Sequence, residues 1–150
     1  MTKIMFVCFG NICRSPMAEF VMKHLVRKAG LEKNFLIESA GCYPSVGTPV
    51  AEGTVRELRK HAVEFTRRTS KRLLADDYPR FDYIVGMDRS NVRSMEELFG
   101  GDPDKKIFLL MDFAGEHRDV DDPWYTEDYA TTYRDVLTGC EALLEKISRA

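Results

Sequence analysis

Residues 4–16 read Ile4-Met5-Phe6-Val7-Cys8-Phe9-Gly10-Asn11-Ile12-Cys13-Arg14-Ser15-Pro16, and the stretch changes character at its middle. From Ile4 to Cys8 it is apolar and β-leaning with no polar alternation, the pattern of a strand covered on both faces. Ser15-Pro16 predicts a helix start, with serine as the N-cap and proline at the first helical position. Val21, Met22, Leu25, Val26 and Ala29 then recur on one helical face up to a stop at Gly30. The head of the chain is a strand, a short loop and a helix.

Three more apolar runs follow, Phe35 to Ser39, Tyr83 to Met87 and Ile107 to Met111. Between them the spacing predicts a helix from near Pro49 carrying Val55, Leu58 and Ala62 inward, with Gly53 its weak point. Another starts near Asp88, carries Val92, Met95 and Leu98, and stops at Gly100-Gly101. The last runs from about Tyr129 to Ile147 along Tyr133, Val136, Leu137, Cys140, Leu143 and Leu144. Strands alternating with helices predict an α/β fold, a parallel sheet wound with right-handed crossovers and helices on both faces. Such sheets bind ligands beyond the carboxyl ends of their strands, where the winding reverses. The end of the first strand is where chemistry is expected.

The chain of 150 residues reads as one domain, 1–150, with no repeat, low-complexity tract or linker. Hydrophobic residues at 44% and aromatics at 11% exclude disorder and collagen-like fibre. Lys plus Arg is 22 against 24 Asp plus Glu, a net charge of −2, which gives no global field for nucleic acid or anionic lipid. Even extended to Phe9, the first apolar run is too short for a membrane span or a secretory h-region. A cytoplasmic protein without nucleic-acid or membrane partners is expected. The basic cluster Arg67-Arg68 with Lys71-Arg72, followed by Asp76-Asp77, reads as a solvated face.

Of the four cysteines, Cys8 and Cys13 lie close in sequence while Cys42 and Cys140 are far apart, and His24, His61 and His117 are equally scattered. That spacing does not make a structural metal site, and a chain of this size needs no disulfide staples. Reactive or buried thiols remain.

Each part of the loop has a physical job. Gly10 and Asn11 tolerate left-handed backbone angles, so the loop can curl with its N–H groups inward. Those groups form an anion nest reinforced by the positive end of the following helix. Arg14 adds a planar fork for two phosphate oxygens, and the same field favours a thiolate nucleophile at Cys8. No Gly-Lys-Ser/Thr closes the loop and no dinucleotide fingerprint is present.

With those residues on the page, the sequence resembles the low-molecular-weight protein tyrosine phosphatases. The loop Cys8–Pro16 looks like that family's signature, and the likeness continues through Glu38-Ser39-Ala40-Gly41, Phe81-Asp82-Tyr83-Ile84, Met87-Asp88-Arg89-Ser90-Asn91 and Asp121-Asp122-Pro123-Trp124-Tyr125. The resemblance implies a flavodoxin-like three-layer fold with a four-stranded parallel sheet. It implies Cys8 as nucleophile, Arg14 as phosphate clamp and Asp122 as general acid. Phe9, Gly10, Asn11, Ile12 and Cys13 would surround the phosphate, with Trp124, Tyr125 and Phe9 forming a slot for a phenyl phosphate. Ser15 would hydrogen-bond the thiolate, and Asn11 and Ser39 would hold the loop's shape. Read without the family, Asp121-Asp122 is an acidic turn capping the last helix, Trp124 and Tyr125 are loop aromatics, and His61 ends a helix near its carbonyls. The segment Cys42–Gly47 departs from the family, as do Ala51 and Gly53, where many members carry aspartate and arginine.

The implied activity is hydrolysis of phosphotyrosine on proteins, by a monomer without metal or organic cofactor, with a cognate tyrosine kinase as a partner. Arsenate reduction on the same fold needs resolving cysteines downstream, and none lies between Cys42 and Cys140. An arginine phosphatase usually has threonine where Ile12 stands. A phosphate- or flavin-binding module would need neither Cys8 nor Asp122. Cys13, on the rim of the same curl, either packs beneath the loop or takes up oxidised Cys8 in a disulfide.

Overall fold

A computed structural model describes Met1–Ala150. Four parallel strands, β1 (Thr2–Cys8), β2 (Phe35–Gly41), β3 (Tyr83–Gly86) and β4 (Ile107–Leu109), lie in the order β2-β1-β3-β4. The helices are α1 (Arg14–Lys28), α2 (Glu52–Lys60), α3 (Asp77–Arg80), α4 (Arg89–Phe99), α5 (Pro123–Thr126) and α6 (Tyr129–Arg149). This is the expected α/β sheet, and the winding reverses between β1 and β3, so the carboxyl end of β1 lies at the switch point.

Ile4, Met5, Phe6 and Val7 are all fully buried, because β1 has a core on each face. Ile4, Phe6 and Cys8 join Met17, Val21, Val136 and Cys140 beneath α1 and α6. Met5 and Val7 join Ile84, Phe81, Leu73 and Met95 on the other side. Alternate residues of one strand serve two cores, which explains the unbroken apolar run.

Several local expectations change. Cys13, not Ser15, is the N-cap residue of α1, and the Ser15 side chain turns to Cys8. The fourth strand stops at Leu109, and Leu110–Ala114 form a 3-10 turn. Ala62 lies outside α2, exposed and with φ 55°, while Leu58 alone of the predicted stripe is fully buried. In α4 Leu98 faces solvent and Phe99 packs inward on Tyr78. Asp88 opens that helix with a capping box to Asn91, and Gly100 closes it in the left-handed region. Gly53 is a packing requirement: an added Cβ would lie 2.4 Å from the Tyr129 ring. No helix is long and apolar enough to cross a membrane.

Candidate active site

The loop between β1 and α1 is braced before it is chemical. Asn11, fully buried at φ 57°, supplies the left-handed turn. Gly10 does not adopt a positive φ, and a Cβ there would have room. The steric demand falls instead on Gly41, where a Cβ would meet the Phe9 carbonyl oxygen at 2.8 Å and Asn11 N at 3.1 Å. The end of β2 can approach the loop only without a side chain at that position.

Asn11 lies outside the cleft, contrary to its expected place around the phosphate. Its Nδ2 donates to Ser15 Oγ at 2.8 Å and Ser39 Oγ at 3.1 Å, the loop-holding role expected for Asn11 and Ser39. Its Oδ1 accepts from Arg68 Nη2 at 2.6 Å and Lys71 N at 3.0 Å, and its carbonyl accepts from Arg68 Nη1 at 3.2 Å. The basic cluster is therefore not simply a solvated face. Ala51 N donates to the Ile12 carbonyl at 2.9 Å and Thr54 Oγ1 to the Cys13 carbonyl at 3.1 Å. Where Ala51 and Gly53 depart from the family, backbone and threonine contacts from the same segment carry the support.

Cys8 Sγ sits at the base of this curl, 2.9 Å from Ser15 Oγ, and accepts from Asn11 N at 3.3 Å. Because Asn11 Nδ2 donates into the Ser15 oxygen, the serine proton is left for the sulfur at 2.9 Å or the more distant Ala40 carbonyl at 3.5 Å. Among the loop amides only Asn11 N–H has a protein acceptor; those of Gly10, Ile12, Cys13, Arg14 and Ser15 have none. Arg14 is buried, with Nη1 donating to Asp88 Oδ2 and the Val120 carbonyl, both at 2.8 Å, and Nη2 lying 3.4 Å from Asp122 Oδ2. Its Nε has no protein partner, a donor available to an oxyanion. Burial alone would lower the Arg14 pKa, but the charges of Cys8 and Asp122 and the Asp88 bond raise it above the ordinary arginine value. The Asp88 carboxyl is also penalised by burial, yet the Arg14 and Asn91 hydrogen bonds hold it below the usual carboxylate range.

A cleft of about 420 Å³ opens above the sulfur, lined by Cys8, Phe9, Gly10, Ile12, Cys13, Arg14, Asp122, Trp124 and Tyr125. It also takes in Tyr43, whose ring centroid lies 5.5 Å from that of Phe9. Trp124 at 63% and Tyr125 at 81% exposure project into solvent and are not tucked on the core. Asp122 caps α5 through Trp124 N at 3.0 Å, whereas α6 is capped by Asp128. Asp121 points away, into a separate polar depression with Asp128 and Asp135. His61 is the C-cap of α2, its backbone N–H donating to the Glu57 carbonyl at 3.2 Å, while its ring stacks on Tyr133 at 3.9 Å and lies 3.6 Å from the Glu57 carboxylate. Cys13 Sγ lies 3.6 Å from the Tyr129 hydroxyl, and burial pushes its thiol up to about 11.

A model of the low molecular weight phosphotyrosine protein phosphatases matches residues 3–150. The chain belongs to that family. It is 37% identical to low molecular weight protein-tyrosine-phosphatase YfkJ of Bacillus subtilis, over 99% of this chain and 97% of that protein. The crystal structure of YfkJ superposes with a TM-score of 0.96, covering 99% of this chain and 96% of the other. The low molecular weight protein-tyrosine-phosphatase PtpA of Staphylococcus aureus is 38% identical over 98% of this chain and 94% of its own. The low molecular weight protein tyrosine phosphatase SP-PTP of Streptococcus pyogenes is 40% identical with a TM-score of 0.87, over 97% of this chain and 93% of that one. The family likeness thus runs the length of the chain, as the ordered motifs implied.

Asp88, Arg68, Lys71 and Tyr129 are site neighbours that sequence reasoning gave no role. For Asp88 a signal existed, since Asp88–Asn91 reads as a helix start, but its second oxygen's reach to Arg14 has no local signature.

Proposed function

We propose that the chain is a cysteine-dependent phosphatase hydrolysing phosphotyrosine on proteins, and small aryl phosphates, through a cysteinyl-phosphate intermediate. One observation carries the reading: Cys8, Arg14 and Asp122 line one cleft beside a loop whose Gly10, Ile12, Cys13, Arg14 and Ser15 amides have no protein acceptor. The phosphate of the substrate accepts from those amides and from Arg14, which neutralise the charge that spreads over its equatorial oxygens. The Cys8 thiolate attacks phosphorus, the bond to the tyrosine oxygen breaks, and Asp122 gives that oxygen its proton. Ionised Asp122 then takes a proton from water as the water oxygen attacks phosphorus. The S–P bond breaks, inorganic phosphate leaves and the thiolate returns.

Phe9, Tyr43, Trp124 and Tyr125, the exposed aromatics on the cleft's lining, would flank a phenyl ring and so favour phosphotyrosine over the shorter phosphoserine. Ile12 on the lining offers no hydroxyl to an arginine substrate. Cys140, buried against the Ala18 carbonyl, is poorly placed to relay a disulfide outward for arsenate reduction. We further infer that the 150 residues act as one monomeric domain in the cytoplasm, on proteins that a cognate tyrosine kinase phosphorylates. Hydrolysis of an aryl phosphate by wild type and Cys8→Ser, each with and without EDTA, tests the mechanism. Wild type should be active and indifferent to EDTA and the variant inactive; equal activity, or loss on chelation, would overturn it.

A further inference from the structure

Whereas Arg14 pairs with Asp88 and Asp122, the Arg68 side chain is mostly covered and meets the loop at Asn11. It closes a ring. Asn11 Nδ2 donates to Ser39 Oγ, Ser39 Oγ donates to Glu19 Oε1 at 2.6 Å, Glu19 Oε1 lies 3.8 Å from Arg68 Nε, and Arg68 returns two hydrogen bonds to Asn11. Lys23 Nζ binds the other Glu19 oxygen at 2.7 Å, fixing the carboxylate. Every polar atom of Asn11 is occupied, and two of them, N and Nδ2, reach Cys8 directly or through one residue. Asn11 N touches Cys8 Sγ, Nδ2 touches the serine that touches Cys8, and the carbonyl sits in the Arg68 fork.

We infer that Arg68 is a positioning residue for catalysis, which locks Asn11 beneath the loop and supplies a second positive charge that favours the Cys8 thiolate. Its fork suits the job because one guanidinium holds the carbonyl and the amide oxygen of the same residue at once. Lysine's single ammonium does not reproduce that geometry. Burial lowers the Arg68 pKa, while the charges of Glu19 and Cys8 oppose the fall. The other groups that face this assembly are Arg14, Asp122, Cys13, Cys42, Glu19, Lys23 and Lys71. None of the variants below changes them.

The inference rests on Cys8 being the reactive thiol, so the test reads that sulfur directly. Iodoacetamide labelling of the Cys8 peptide is followed by mass spectrometry across pH in wild type, Arg68→Met and Arg68→Lys, with melting temperatures recorded. Loss of the charge in Arg68→Met should slow labelling at neutral pH about tenfold, the scale of one removed opposite charge, and move its pH profile alkaline. Arg68→Lys should label near the wild-type rate yet lose kcat/KM, since charge is kept and the two-point hold on Asn11 is not. Arg68→Gln replaces the methionine variant if that protein does not fold. A folded neutral variant whose Cys8 labels at the wild-type rate at every pH would overturn the inference, leaving Arg68 a structural brace. Absence of preferential Cys8 labelling in wild type would instead overturn the phosphatase reading itself.

Discussion

Asp88 holds Arg14 at 2.8 Å with one carboxylate oxygen while its other oxygen caps α4 through Asn91 N, also at 2.8 Å. One side chain thus ties the phosphate clamp to the start of a helix 74 residues further along the chain. Asp88→Asn separates the two jobs, because asparagine caps helices as well as aspartate but cannot pair with a guanidinium as an anion. Turnover of an aryl phosphate should fall by about 10²-fold, the scale of a misplaced catalytic group, with the fold retained.

The same pair sets a pH dependence. The folded Asp88 carboxyl titrates below its ordinary value, so its contribution to stability is present above about pH 4 and is lost as pH falls through the lower, folded value. Wild type should therefore lose stability, as pH falls below about 4, more steeply than Asp88→Asn. Parallel acid limbs in urea midpoints measured over that range would show that the pair contributes nothing there.

The acid and its neighbour are separable. Asp122 lines the cleft and lies 3.4 Å from Arg14, while Asp121 opens on a different depression. Asp122→Asn should slow phosphotyrosine hydrolysis about 10²–10⁴-fold and slow an activated aryl phosphate less, since that leaving group barely needs a proton. Asp121→Asn should be mild on both substrates. If the two variants exchange behaviour, the acid has been assigned one residue out.

Gly41 makes a different kind of demand. A methyl group there meets backbone on both sides, the Phe9 carbonyl and Asn11 N, neither of which can swing aside as a side chain does. Gly41→Ala should cost about 1–3 kcal/mol of stability as the loop and β2 separate, and should lower kcat more than the same stability loss placed elsewhere. Gly10→Ala, with nothing nearer than Ile12 Cγ1 at 3.9 Å, should be the milder in thermal melts. The reverse order would mean the loop tolerates a wider gap at β2 than it shows.

The strands and the loop were legible because each depends on neighbours in sequence: an apolar run, a Gly-Asn turn, a Ser-Pro helix entry. The braces were not. Arg68 looks like any solvated arginine in a basic run, and only the path of the chain from α2 back past β2 brings it onto Asn11, 57 residues away. Gly53 looked like a flaw in a helix because the Tyr129 ring that requires it arrives from α6. For Trp124 and Tyr125 the sequence does not separate core from cleft wall, since an aromatic side chain carries no sign of which side of a loop it will face.

Cys13 remains as the cleft's second thiol. Its burial keeps it protonated at neutral pH, against the opposing pull of the Tyr129 hydrogen bond, so it is no rival to Cys8 as nucleophile. Both thiols line the same cleft, and both are free. Peroxide would oxidise Cys8 first, and the sulfenic acid can condense with the Cys13 thiol, forming an S–S bond and releasing water. Added dithiol reduces that bond and restores both thiols, whereas Cys8 driven on to sulfinic acid is not recovered. Wild type and Cys13→Ser should start with similar activity, since serine fills nearly the same space beside Tyr129. After brief peroxide and then dithiothreitol, wild type should regain most of its activity and Cys13→Ser little, with mass spectrometry finding a Cys8–Cys13 linkage only in the former. Equal recovery in the two proteins would reduce Cys13 to packing beneath the loop.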